Sequence, residues 1–239
     1  MSEPVGDLYK VLGSDGRAYH GGHGKWLIDK KMPEIQDVKP CKQGYHLCRG
    51  LPNTDLVTWF GPCIHPVLDF GGEVVVCDEK VVVGWAKIGP AIESWNDRAA
   101  RLFAANCAER AVNKFWRPKK LGINRKHWAA PRRAIAATRK YAAGDLSGKD
   151  LGAAKDAAAA AAWAAAAGAA AWAEAWAAWA AGVAAVAAAG AAAWAAAAGA
   201  AAWAAGAAAR AAAGGATEIS ERRWQTKKLL TILKGENDE

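Results

Sequence analysis

Proline, leucine, isoleucine and phenylalanine are all absent from the 57 residues Ala157–Ala213. Without proline or a cluster of turn residues, nothing in that stretch stops a helix. Without leucine, isoleucine or phenylalanine it lacks the residues that favour insertion into a bilayer. A membrane span is therefore not expected, although Glu174 and Arg210 are the only charges in the stretch. The opening residues, MSEPVGDLYKVLG, have neither a basic flank nor an apolar run, so no secretory signal is expected. Cysteine is scarce and odd in number, at five. That suits reduced thiols in a cytoplasmic protein better than a disulfide framework.

What fills Ala157–Ala213 is alanine, 42 residues of it, with six tryptophans and five glycines. Alanine is the strongest helix former. As one rod the segment would run to roughly 85 Å. The stretch AAAWAAAAGAAAWA occurs at Ala160–Ala173 and again at Ala191–Ala204. Its tryptophans are nine residues apart, so Trp163 and Trp172 point to opposite sides, as do Trp194 and Trp203. A free rod would expose apolar rings along its length. A chain folded back on itself, with a reversal within Gly182–Gly190 and small residues letting helices approach, buries them.

The first ninety residues read differently. Leu8–Leu12 is a strand candidate closed by the turn Ser14-Asp15-Gly16. Tyr45–Cys48 begins another, and Asp55–Phe60 is a short helix or strand. Val67–Phe70, Gly71-Gly72 and Glu73–Cys77 read as a hairpin, because Gly-Gly is a favoured two-residue connection. Asp78-Glu79-Lys80 is a further turn before the strand Val81–Ile88. A small antiparallel or mixed sheet of four to six strands is expected.

Two candidate sites lie in this part. His20 and His23 flank glycines in a loop matching neither GxxxxGK[ST] nor GxGxxG. With Tyr45 and His46 they would line a pocket for a nucleotide or an ADP-ribose-like ligand. Cys41, Cys48, Cys63 and His65 have the chemistry to hold zinc, yet the close C-x2-4-C pairing of structural zinc sites is absent. Packed core thiols are the competing reading.

Acidic residues are missing between Ala111 and Ala143, where ten basic ones stand: Lys114, Arg117, Lys119, Lys120, Arg125, Lys126, Arg132, Arg133, Arg139 and Lys140. Trp116, His127 and Trp128 are interleaved with them. Cations with aromatics hold phosphates and stack bases, and they serve an acidic protein equally well. Before this stretch, Trp95–Phe115 has the spacing of an amphipathic helix with Cys107 on its apolar face. Pro131 suits the first turn of a helix over Pro131–Ala142. Ser147 and Asp150 offer a capping box. Gly214-Gly215 stops the alanine tract, and a closing helix over 220–234 is expected to dock on the bundle. The fold expected is α+β, with a strand-rich domain over 1–90 and a helical bundle over 91–239 whose alanine-rich core helices occupy 151–213.

The segments WNDRAARLFAANCAER at Trp95–Arg110 and PRRAIAATRKYAAG at Pro131–Gly144, with the Ala/Trp/Gly tract, resemble a family. These are the alanine-rich helical immunity-like proteins of actinobacteria and their phages. Glu221–Leu233 looks like the closing helix of phage members. CKQGYHLC at Cys41–Cys48 resembles small uncharacterised domains of phage proteins. The resemblance implies a helical bundle with no established enzymatic centre and transfers no catalytic residue; no cofactor and a cytoplasmic place in a bacterial host are expected. It points to a non-enzymatic accessory protein that binds a macromolecule, most simply a protein. A nucleic-acid-associated regulator, a small-ligand enzyme in the first domain and a virion component are the alternatives.

Overall fold

A computed structural model describes residues 7–22, 24–59, 61–115, 125, 129–154, 156 and 216–236. The expected folding-back of Ala157–Ala213 lies outside the described residues. The chain is an α+β protein, with its sheet and one short helix first and its longer helices after. It divides into two compact units, Met1–Asn96 with Thr226–Glu239, and Asp97–Gln225.

The first unit is built on four strands, β1 (Leu8–Leu12), β2 (Tyr45–Arg49), β3 (Cys63–Cys77) and β4 (Lys80–Ile88). They close into a barrel in the order β1-β2-β4-β3, and every ladder between them is antiparallel. Strand alternation sends Leu8 and Leu12 into the barrel with Trp26, Met32, Leu47, Val81, Val83, Ala86 and Ile88. Lys10 stands between those two leucines on the same face and is only 6% exposed. Beyond the reach of β2, the edge of β4 is covered by the preceding loop. Asp29, Met32 and Ile35 donate their N–H groups to the carbonyls of Ile88, Ala86 and Gly84, each at 2.9 Å.

The hairpin expected at Gly71-Gly72 is not there. β3 runs unbroken through both glycines, and the two-residue connection is Asp78-Glu79, after Cys77 has paired with Lys80. The glycines serve a different purpose. The ladder shifts register between Gly71 and Val74, with Gly72 at φ +74°, so the pair marks a bulge. A Cβ on Gly71 would lie 2.7 Å from the Trp85 ring across the ladder. The Trp85 indole needs a strand without a side chain beside it, and that requirement outweighs the local preference of Gly-Gly for a turn.

Asp55–Trp59 is a helix, α1, not a strand. Its first residue forms a buried ion pair with Arg49 at the end of β2. The Arg49 Nη2 group also donates to the carbonyls of Cys77 and Asp78, both at 2.8 Å. One guanidinium thus ties together β2, α1 and the β3–β4 turn.

The second unit holds α2 (Asp97–Phe115) and α3 (Ala130–Ala143). Small residues dominate the buried stripe of α2, where Ala100, Ala104, Ala108 and Ala111 accompany Phe103 and Cys107. Such a stripe allows close helix packing. Pro131 sits in the first turn of α3, as its fixed φ favours, and Gly144 closes that helix at φ +88°. Half of the expected capping box is present: Asp150 N–H donates to Ser147 Oγ at 3.3 Å, while the Asp150 carboxylate accepts the Ser147 hydroxyl at 2.6 Å in place of the Ser147 N–H. Leu151, in the helical residues that follow, is buried with Ala134.

The last helix, α4 (Ala216–Leu233), begins a few residues before the expected start. Expected to dock on the bundle, it divides between the units, with Thr226 onward belonging to the barrel unit. Leu229 and Leu233, four apart on one face, are buried, and the Leu233 carbonyl accepts Ser94 Oγ at 2.7 Å within the barrel unit. Among the described residues, no helix is long and apolar enough to cross a membrane.

Candidate functional site

Of the residues expected to line a ligand pocket, Tyr45 and His46 lie on opposite faces. Tyr45 and His46 are neighbours on β2, and neighbours on a strand face opposite ways. Tyr45 packs its ring on Trp26 at 5.1 Å and donates its hydroxyl to the Pro33 carbonyl. His46 is on the other face, where Nε2 accepts the Cys41 N–H at 3.1 Å. Its pKa is lowered to about 4 by burial, with Lys80 and Lys10 adding repulsion. His20 is exposed and sets its ring edge-on to Trp59 at 5.4 Å. His23 lies outside the described residues. Tyr45 thus faces away from His46, while His20 stands on the Trp59 ring, which Lys80 also faces.

The zinc expectation is corrected in the same way. Among the described residues, no three His, Cys, Asp or Glu side chains are grouped to hold a metal ion. Cys48 is buried in the barrel wall, and burial pushes its thiol up to about 12. Burial also raises the Cys63 thiol, on the first residue of β3. His65 is buried and donates Nδ1–H to the Gly89 carbonyl at 2.9 Å. Cys41 accepts a hydrogen bond from Lys80 Nζ. Each of the four has its own local role.

Of the ten expected basic-surface residues, Lys114, Arg125, Arg132, Arg133 and Lys140 are exposed. Arg117, Lys119, Lys120 and Lys126 lie outside the described residues. Arg139 is not available to a partner. Its guanidinium grips Glu109 through both terminal nitrogens, at 3.0 and 2.8 Å, and reaches Asn106 at 2.9 Å. The hydrogen bond from Arg139 holds the Glu109 carboxyl below its ordinary range. Arg132 reaches Asn113 at 3.3 Å. The counter-charge missing between residues 111 and 143 is therefore supplied, in part, by α2. Up to Gly89 the chain carries ten basic and eleven acidic residues, so its positive charge resides in the remainder.

Another surface comes from the unbroken course of β3. Its first residues pair with β1, from Leu12 with Cys63 to Tyr9 with Pro66. From Val67 onward, among the described residues, its backbone ladder is with β4 alone. Residues paired directly across an antiparallel ladder share a face. Val74 and Val76 therefore share the face of Val83 and Val81, which are fully buried in the barrel core. Yet Val74 is 40% and Val76 57% exposed, and Leu68 on the same strand is 53% exposed. The core face runs past the closed part of the barrel onto an open shelf.

Seven of the eight large apolar side chains exposed among the described residues belong to the barrel unit. The hairpin expected at Gly71-Gly72 conceals this edge, because it pairs the two halves of β3 with each other. A signal was present nonetheless. Asp78-Glu79 supplied a second possible turn, and the long strand after it required a partner of similar length. Comparison with family models, with curated proteins and with solved structures finds no match to the chain.

Proposed function

We propose that this chain is an accessory protein of a phage or prophage that binds another protein, with the free edge of β3 as the contact. The observation that carries this reading is the edge itself. It offers unpaired backbone groups beside Val74 and Val76, the combination by which an extended segment adds to a sheet. Exposed apolar side chains scattered singly need no explanation, but a pair on the core face of an open strand does. The basic face of α3 is the weaker candidate, because Arg139 is consumed by Glu109 and Arg132 is engaged with Asn113. The resemblance of Trp95–Arg110 and Pro131–Gly144 to the immunity-like family supports an accessory, non-enzymatic role.

The test compares two double variants against the unaltered chain in binding to host and phage proteins. Val74→Lys with Val76→Lys places two charges on the edge. It is expected to weaken the interaction at least tenfold, the scale of a lost central contact. Arg132→Glu with Arg133→Glu is expected to leave it within about twofold, as for charges outside the contact. Circular dichroism checks that both variants fold. The opposite pattern, with retained binding in the valine variant and steeply salt-dependent nucleic-acid binding lost in the arginine variant, assigns the function to the basic face and overturns the proposal.

A further inference from the structure

On a different flank of the barrel, a thiol and an amine are held within reach of bond formation. Cys41 lies at the tip of the turn between Lys39 and Gln43, whose backbones are bridged to each other. It is exposed, and its backbone takes the left-handed conformation at φ +65°. The His46 ring fixes the residue by accepting its N–H. Lys80, the first residue of β4, reaches across 39 positions of sequence and places Nζ 2.9 Å from Cys41 Sγ. The lysine is half-buried and also faces the Trp59 ring, with Nζ 5.9 Å from the centroid. Trp59 is in turn anchored to the next turn of chain by donating Nε1–H to the Glu79 carbonyl. Both partners are therefore positioned by neighbouring structure. The other free cysteines among the described residues are buried or half-buried.

We propose that Cys41 and Lys80 form a peroxide-driven, reversible covalent crosslink, a sulfenamide joining Sγ to Nζ. An exposed thiol beside a cation is the kind that hydroperoxides oxidise. In the first step the sulfur attacks the near oxygen of a hydroperoxide. The O–O bond breaks, the terminal OH stays on the sulfur as a sulfenic acid two electrons more oxidised, and the remaining oxygen takes up the thiol proton and leaves as an alcohol, or as water where hydrogen peroxide is the oxidant. In the second step the Lys80 ammonium gives one proton to solvent. The resulting amine attacks the sulfur, the S–O bond breaks and the oxygen leaves as water with a second proton from nitrogen. One S–N bond has formed, and the protein has lost two hydrogens. A thiol reductant reverses it by attack on the sulfur, returning the amine and, through a mixed disulfide, the Cys41 thiol. The crosslink staples the turn over residues 39–43 to the start of β4.

The experiment treats the full chain with hydrogen peroxide and follows the peptides carrying residues 41 and 80 by mass spectrometry. The unaltered chain is expected to give one crosslinked species lighter by two hydrogens, with trypsin unable to cut after Lys80, and to regain its original mass with dithiothreitol. Lys80→Arg keeps a cation near the thiol but removes the amine nucleophile. It is expected to stop at the sulfenic acid, one oxygen heavier and trapped by dimedone. Cys41→Ser is expected to show neither change. Two results overturn the proposal. One is oxygen addition alone at Cys41 in the unaltered chain. The other is a two-hydrogen loss that survives Lys80→Arg and disappears in Cys77→Ser, which identifies a disulfide instead.

Discussion

Replacing Asp55 with alanine is expected to cost about 3–5 kcal/mol of folding stability, read from urea unfolding at pH 7. The carboxylate is 3% exposed and the Arg49 side chain 11%. Asp55 Oδ2 accepts from both the backbone N–H and Nε of Arg49, and Oδ1 accepts from Nη2 at 3.2 Å. Removing the carboxylate strands a guanidinium in the barrel wall with only the Cys77 and Asp78 carbonyls for company. Breaking a buried pair is costly for this reason, whereas removing both charges is much less so. The double variant Arg49→Met with Asp55→Leu should therefore recover a large part of the loss. A cost below about 1 kcal/mol for Asp55→Ala would show that solvent reaches this pair freely.

The second large effect is a pH dependence at Lys10. Its ammonium is buried, donates to the His46 carbonyl at 2.9 Å and lies 4.7 Å from the centre of the Trp26 ring. Burial lowers its pKa to about 8 from an ordinary 10.5, with Cys48 opposing the shift. Below pH 8 both folded and unfolded chains hold the proton, and the folded state bears the full cost of a buried charge. Between pH 8 and 10.5 the folded chain has released a proton that the unfolded chain still holds. The unfolded state then binds more protons, so stability rises with pH across this window and levels off above it.

The expected rise is about 3 kcal/mol. Tyrosines and other thiols titrate in the same range, so the quantity to measure is the difference from Lys10→Met. That variant should be the more stable at pH 7, by less than the full amount because the His46 carbonyl loses its donor. Its advantage should shrink as pH rises. A difference independent of pH would refute a strongly depressed lysine.

The sequence showed β1, β2, β4, α2, α3 and the Ser147 cap because each depends on residues within a few positions. Leu8–Leu12 and Val81–Ile88 carry their own pattern, Pro131 needs only its fixed φ, and Ser147 meets Asp150 one turn away. The failures share a different cause. Gly71-Gly72 has the local chemistry of a turn, yet its role is set by Trp85 on the opposite strand. Arg139 looked free in a window without acids, while Glu109 waited thirty residues upstream. Tyr45 and His46 were grouped by proximity in sequence, although strand alternation already separates them. The pairing of Cys41 with Lys80 depends on barrel closure, which no local window contains.

The long third strand also has a consequence in time. Its pairing with β4 crosses a two-residue connection, whereas its pairing with β1 joins Tyr9 to Pro66 and Leu12 to Cys63. Hairpins of the first kind zip within microseconds, while contacts of the second kind must first meet the loop entropy of some fifty residues. The β3–β4 ribbon is thus the natural nucleus, and the barrel closes only when β1 is recruited to it. β1 is made before β2 and β3, and it waits for Cys63–Pro66 and the ribbon behind them before it is enclosed. The first of the four barrel strands is among the last to find its place.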